Sequence, residues 1–280
     1  MPPTALLSAQ PVIDTAERRP AQHLRPYISR YAGFRIEGAA PGVTRGLPSR
    51  HVTLMLGLDA TFKITGVGSF TSLVGGLHDR PALVEGGGAA QGMHLFLTPL
   101  GTRSLLGMPA SAIAGNVVDL RDIIGANAGE LQNRLREASC WARRFDILDE
   151  IFTRMLEEQA VSPELGWAWR RLIADAGRTR IEDLAREVGW SRRHFTERFG
   201  TELGVTPKTF ARIVCFEHAC AMIRTRRGSL AEVAVAAGYY DQSHMTREWH
   251  TLAGCAPREW IAEQLPFIQD YELAGVDDQR

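Results

Sequence analysis

Residues 181–210, IEDLAREVGWSRRHFTERFGTELGVTPKTF, return in altered form as residues 230–260, LAEVAVAAGYYDQSHMTREWHTLAGCAPREW. Slid along each other, Ile181, Leu184, Ala185, Gly189 and Trp190 fall on Leu230, Val233, Ala234, Gly238 and Tyr239, a displacement of 49 (238 minus 189). After one inserted residue, Phe195, Phe199, Gly204, Pro207 and Phe210 fall on Met245, Trp249, Gly254, Pro257 and Trp260, displaced by 50 (254 minus 204). Such self-similarity marks a duplicated supersecondary unit. Each copy reads as a helix, a glycine turn and a second helix. The small Ala185 and Ala234 let the paired helices approach closely, while Gly189 and Gly238 permit a left-handed turn that other residues resist.

Ser229 with Glu232 forms a capping-box pattern ahead of the second copy, and Thr179 with Glu182 offers a similar pair one position out of register ahead of the first. Between the copies, Pro207 to Thr225 carries apolar residues at Phe210, Ile213, Val214, Phe216, Ala219, Ala221, Met222 and Ile223, which predicts one continuous helix. At 1.5 Å per residue it would be about 30 Å long, near the roughly 34 Å rise of one duplex turn. In the second helix of the first copy, Phe195, Phe199 and Leu203 lie four apart and face inward. Arg193, Thr196, Glu197 and Gly200 then face outward, with Arg192 at the helix start beside a phosphate backbone. Arg193 can pair with guanine O6 and N7, and Glu197 can accept from cytosine N4. In the second copy Met245, Trp249 and Leu252 point inward, leaving Ser243, Thr246, Arg247 and His250 outward, with Gln242 and His244 at the flank. Arg247 is the best single base reader there, and Gln242 can make a two-pronged contact to adenine. The alternative for each is a solvated surface side chain.

Upstream the texture changes. Residues 45 to 106 are rich in Gly and β-formers, with HVTLMLGL, TFKITG, FTSLVGGL and HLFLTPLG separated by turn residues, which predicts an antiparallel β-sandwich or barrel. From Val117 the apolar spacing becomes helical in LRDIIG, AGELQNRLREAS and FDILDEIFTRMLEEQ. Phe145, Leu148, Ile151, Phe152, Met155 and Leu156 form one stripe, suited to packing on its own domain or to a dimer seam. Ser162 and Pro163 start a further helix that Gly177 ends, which sets a boundary near residue 160. The expected fold class is α+β: residues 1–160 a cupin-like β-sandwich or barrel with helices, 161–265 an all-α pair of helix-turn-helix units joined by a long helix, and 266–280 an acidic tail.

A chain of 280 residues with 45% hydrophobic composition has room for two domains with real cores. Pro2, Pro3, Pro11 and Pro20 with Glu17, Arg18 and Arg19 do not make a secretory leader, and no later run approaches the roughly 18 apolar residues that span a bilayer. A cytoplasmic protein without membrane contact is expected. Cys140, Cys215, Cys220 and Cys255 lack any C-x-x-C pair, which argues against a disulfide framework and a thiolate zinc site. Formal net charge is +0, yet residues 178–262 hold 13 Arg plus Lys against 10 Asp plus Glu, and residues 263–280 hold 1 against 5. Lys63 and Lys208 are the only lysines, so the basic side chains are the bidentate kind. His51, His78 and His94 lack the H-x-H spacing of a strand metal site. Gly86 to Gly88 reads as a turn, since no lysine accompanies it as in a phosphate loop. No catalytic residue, metal or cofactor is expected.

The tandem units, their spacing, Gly189, Gly238, Pro207, Pro257 and the stretch VAAGYYDQSHMTREWHTLAGCAPREW resemble the DNA-binding domain of the AraC/XylS transcription-regulator family over about residues 165 to 262. The resemblance implies seven helices, double-stranded DNA as partner, and activation or repression of nearby promoters. By position it implies base contacts at Arg193, Thr196, Glu197, Gln242, Ser243, Thr246 and Arg247. There are two departures: Cys215 stands where the connecting helix usually has arginine, and Tyr239-Tyr240-Asp241 replaces a phenylalanine with polar followers. Residues 23 to 156 more loosely resemble the family's β-rich sensor domains, notably around LPSRHVTLML and LTPLGTRSLLG. That implies a small-molecule effector pocket, a homodimer contact or both, with RNA polymerase as a further partner. The competing readings are a sensor half that binds a protein, and a bifunctional chain whose β-barrel is a metal-dependent enzyme.

Overall fold

The computed structural model describes residues 12–157, 159, 161–225 and 228–263 of the chain. The expected acidic tail, 266–280, lies outside the described residues. The strands among the described residues are β1 (Val12–Arg18), β2 (Ile28–Gly46), β3 (Val52–Gly57), β4 (Phe62–Ile64), β5 (Gly68–Phe70), β6 (Ser72–Gly75), β7 (Ala82–Leu97) and β8 (Val117–Asp119). They form one antiparallel sheet in the order β1-β2-β7-β3-β6-β8, with β4 paired to β7 and β5 to β4. Period-two alternation explains the sheet's two faces. On β3, Val52, Leu54 and Leu56 are buried opposite Leu97, Leu95 and Met93 of β7. Phe34, Ile36, Phe62, Ile64 and Leu73 form a separate apolar cluster.

Two expectations change here. The sheet begins well before residue 45, because β1 and most of β2 precede it; β2 is interrupted by register shifts near Ile28, Ile36 and Ala39 and shows no sustained alternation to read. Gly86 to Gly88 is not a turn between strands but lies inside β7, where Gly86 and Gly88 pair with Gly42 and Ala39 across a bulged ladder. Glycine suits such a bulge because the extra residue takes unusual dihedrals, φ +77 at Gly88.

The α-helices begin between β7 and β8 with α1 (Gly101–Leu106) and continue after β8 with α2 (Leu120–Ile124), α3 (Ala126–Glu137), α4 (Trp141–Met155), α5 (Pro163–Ala174), α6 (Ile181–Glu187), α7 (Arg192–Leu203), α8 (Pro207–Arg224), α9 (Leu230–Ala236), α10 (Gln242–Ala253) and α11 (Pro257–Glu263). The fold is thus α+β, as the sequence implied. On α4, Phe145, Leu148, Ile151 and Phe152 are buried in one cluster with the β3 and β7 face, and Met155 and Leu156 pack at its margin. Burial of such side chains contributes roughly 1.5–3 kcal/mol each. The stripe therefore belongs to this domain's own core and is not free to serve as a dimer seam. Arg18 of β1 clamps α4 from outside, reaching Asp146 and Asp149 at 2.7 Å each.

Pro163 opens α5 as expected, although the Ser162 hydroxyl bonds to the Glu164 carboxylate instead of capping backbone. The chain leaves α5 through left-handed Ala176 and Gly177. The expected Thr179–Glu182 cap does not form: Arg180 occupies the N-cap position of α6 and the Thr179 hydroxyl bonds to Asp175. Ser229 and Glu232 do form a complete capping box at α9.

Candidate nucleic-acid interface

The duplication seen in sequence is repeated in the bonds of the glycine turns and of the second-helix caps. The turn after α6 is closed by Trp190 N–H donating to Ala185 O at 2.8 Å, and the turn after α9 by Tyr239 N–H donating to Ala234 O at 2.9 Å. Gly189 and Gly238, which lead into these two bonds, have φ +74 and +94. Ser191 and Asp241 cap the second helices, accepting from the backbone N–H of His194 (3.2 Å) and His244 (2.6 Å). Both second helices, α7 and α10, run twelve residues and end on left-handed glycines, Gly204 and Gly254, that bond back to Gly200 O and His250 O. Pro207 and Pro257 then open α8 and α11.

Inward residues fix which face each second helix shows. Phe195, Phe199 and Leu203 are fully buried, as are Met245, Trp249 and Leu252. Trp249 packs edge-on against both Phe216 of α8 (4.8 Å) and Trp260 of α11 (5.3 Å). Arg192, Arg193 and Glu197 are consequently exposed on α7 with Thr196 half-buried, and these four line one shallow surface depression. On α10, Gln242, Ser243, Arg247 and His250 are exposed, while His244 and Thr246 are half-buried. Not all of these side chains are equally available. Arg192 lies 2.8 Å from Glu182 of α6. The His244 ring accepts from Tyr240 N–H at 3.3 Å and packs edge-on against Tyr239, so it closes the helix start. The Thr246 hydroxyl donates to Gln242 O at 2.9 Å.

Several supporting residues escaped the sequence reading. Arg212 of α8 meets Glu248 of α10 at 2.6 Å and fixes that helix against the spine. Asp241 is a cap whose only sequence signal was its displacement of 50 from Ser191 (241 minus 191). Tyr240, beside it, is 89% exposed. Cys215, in place of an arginine, turns its thiol to Ala237 O at 2.9 Å, and burial pushes that thiol above its ordinary range. It packs between α8 and the end of α9.

His94 is buried and His51 half-buried, both packed against the Phe96 ring, and His78 bonds to Arg80 O. Among the described residues no three His, Cys, Asp or Glu side chains converge as metal ligands, and no helix is long and apolar enough to cross a membrane.

Residues 184–263 match a family model described as a helix-turn-helix domain. Over 80 residues, 29% of this chain and 30% of the relative, the sequence is 28% identical to the virulence regulon transcriptional activator VirF of Yersinia enterocolitica. Over 78 residues, 28% of each, it is 28% identical to the HTH-type transcriptional regulator ExsA of Pseudomonas aeruginosa. The match thus spans under a third of these relatives' length. The solved structure of ToxT from Vibrio cholerae aligns over 95% of this chain and all of its own, at 10% identity and a TM-score of 0.48. The duplicated unit, its paired turns and caps, and this matched segment show that residues 184–263 form a helix-turn-helix domain similar to those of these transcriptional regulators.

Proposed function

We propose that the chain is a sequence-specific DNA-binding regulator of transcription, with residues 161–265 reading DNA, residues 1–160 serving as sensor, and 266–280 as an acidic tail. The observation that carries this reading is repetition: two twelve-residue helices, anchored by equivalent bonds, each hold an arginine and its neighbours in solvent on the face opposite a buried aromatic. Arg193 and Arg247 are the guanine readers, Glu197 accepts from cytosine N4 and Gln242 pairs with adenine. Thr196, Ser243, His244 and Thr246 flank them, and Arg192 holds phosphate. Because the formal net charge is +0, long-range attraction to DNA is weak and local arginines carry affinity. The protein works in the cytoplasm as a binder, not an enzyme. Its further partners are a small-molecule effector at the β-rich half, RNA polymerase and a second copy of the chain.

Selection on random DNA tests this, since two short conserved blocks are expected. Arg193→Ala and Arg247→Ala should each cost about 1–3 kcal/mol at one base position, while Arg192→Ala should weaken all sequences alike and reduce the salt slope by about one. Equal losses on every sequence from the first two substitutions would contradict base reading.

A further inference from the structure

The two helix-turn-helix units are attached to the rest of the molecule in different ways. The buried residues of the first unit, Leu184, Phe195, Phe199 and Leu203, belong to the same apolar cluster as β3, β7 and α4. Those of the second, Val233, Met245, Trp249 and Leu252, form their own cluster with the far side of α8. Among the described residues, Leu47 is the one member of that second cluster drawn from the β-rich half, and it is 7% exposed. The first unit is therefore continuous with the β-rich core, whereas the second is mounted on α8 and reached from the β side mainly along one short stretch.

That stretch is RGLPSR, residues 45–50, where β2 ends. Arg45 donates from Nε and Nη2 to the two Glu263 carboxylate oxygens at 2.9 and 3.2 Å, and it lies 3.8 Å from Glu259. Both acids are on α11. The planar two-pronged geometry fixes direction as well as distance. Leu47 enters the apolar cluster of the second unit. Ser49 hydroxyl and Arg50 N–H both donate to Glu217 Oε1 of α8 at 3.0 Å. Pro81, beside the start of β7, closes the seat: a methyl placed on Gly254 would be 3.1 Å from its Cγ. Gly254 is the left-handed residue that ends α10.

We propose that Arg45 is a positioning residue for DNA recognition: through Glu263 and Glu259, with Leu47 as the apolar anchor, the end of β2 sets the orientation of α10 relative to α7. Covalent continuity through α8 alone allows the second unit to pivot on its apolar seat. The Arg45 fork removes that freedom. The distance between the two blocks of bases that the protein accepts is thereby a property of the β-rich half. This proposal rests on the DNA-binding reading above.

The test uses the full chain with Arg45→Glu, which sets like charges against Glu263 and Glu259, and the double variant Arg45→Glu/Glu263→Arg, which restores one pair. Random-sequence selection on wild type should return two blocks at one spacing. Arg45→Glu should keep the block read by α7, accept several spacings, and lose on the order of tenfold in affinity for the wild-type site, the size of an ordinary coupling between sites. The double variant should recover the single spacing. Amide hydrogen exchange without DNA gives a second measurement: residues 230–263 should exchange faster in Arg45→Glu while 192–203 stay unchanged. Unaltered spacing in Arg45→Glu, or unaltered exchange across residues 230–263, overturns the proposal. If wild type selects no sequence at all, the regulator reading itself fails, and exchange still reports whether Arg45 restrains the second unit.

Discussion

Substituting alanine for Gly189 and for Gly204 separates backbone strain from contact between the two halves of the molecule. Both residues are left-handed, with φ +74 and +81, so both substitutions carry the penalty for a Cβ in that region, about 1–2 kcal/mol. At Gly189 the added methyl meets nothing within 4 Å. At Gly204 it would lie 2.3 Å from Ala114 Cβ and 2.7 Å from Ser111 Cα. Ser111 is itself held by its hydroxyl donating to Thr201 O at 2.6 Å, so the obstacle is backbone that cannot rotate aside. Overpacking of that kind costs about 1–3 kcal/mol. Urea denaturation should therefore give losses of about 1–2 kcal/mol for Gly189→Ala and about 2–5 kcal/mol for Gly204→Ala. Adding Ala114→Gly to the latter should recover part of the excess. Equal losses for the two single substitutions, or no recovery in the double variant, would refute the claim that α7 ends in direct contact with the β-rich half.

Stability should also fall in mild acid. Burial, with the Arg30 cation nearby, pushes His94 down to about 3, and burial with the Arg50 and Arg30 cations lowers His51 well below its ordinary 6.5. Folded protein then keeps both rings neutral while unfolded chain takes up protons below about pH 6.5. The stabilisation is complete above that pH and drains as pH falls, at up to about 1.4 kcal/mol per unit per histidine. Glu217, which burial raises, opposes this in its own window above 4.5, because the folded state there binds the extra proton. Urea midpoints of wild type and His94→Gln between pH 7 and pH 5.5 check this; identical slopes would remove His94 from the account. Asp241→Ala deletes the acceptor for His244 N–H and should cost about 1 kcal/mol, with Asp241→Asn retaining most of it. Unchanged unfolding in Asp241→Ala would show that the cap is not stabilising.

The helical third was legible because its determinants are local and doubled. A glycine that must be left-handed, aromatic residues four apart and a proline at a first helical position each constrain the chain within a few residues. Finding them twice at displacements of 49 and 50 identified inward and outward faces before any coordinates. The β-rich half was less legible. β1 and β2 owe their strand character to partners across the sheet, and a bulged ladder hides period-two alternation. The failed Thr179 cap has the same origin, since Asp175, four residues earlier, takes that hydroxyl.

What the sequence by itself determined is therefore the duplicated unit: two helix-turn-helix copies, the helix between them, and the residues each turns outward. What only tertiary structure decided is how that unit is held. Arg45 and Glu263 lie 218 positions apart, and Arg103 and Glu202, which meet at 2.6 Å, lie 99 apart. No local periodicity encodes such pairs, because an ion pair between distant segments depends on where folding delivers their backbones rather than on any spacing along the chain.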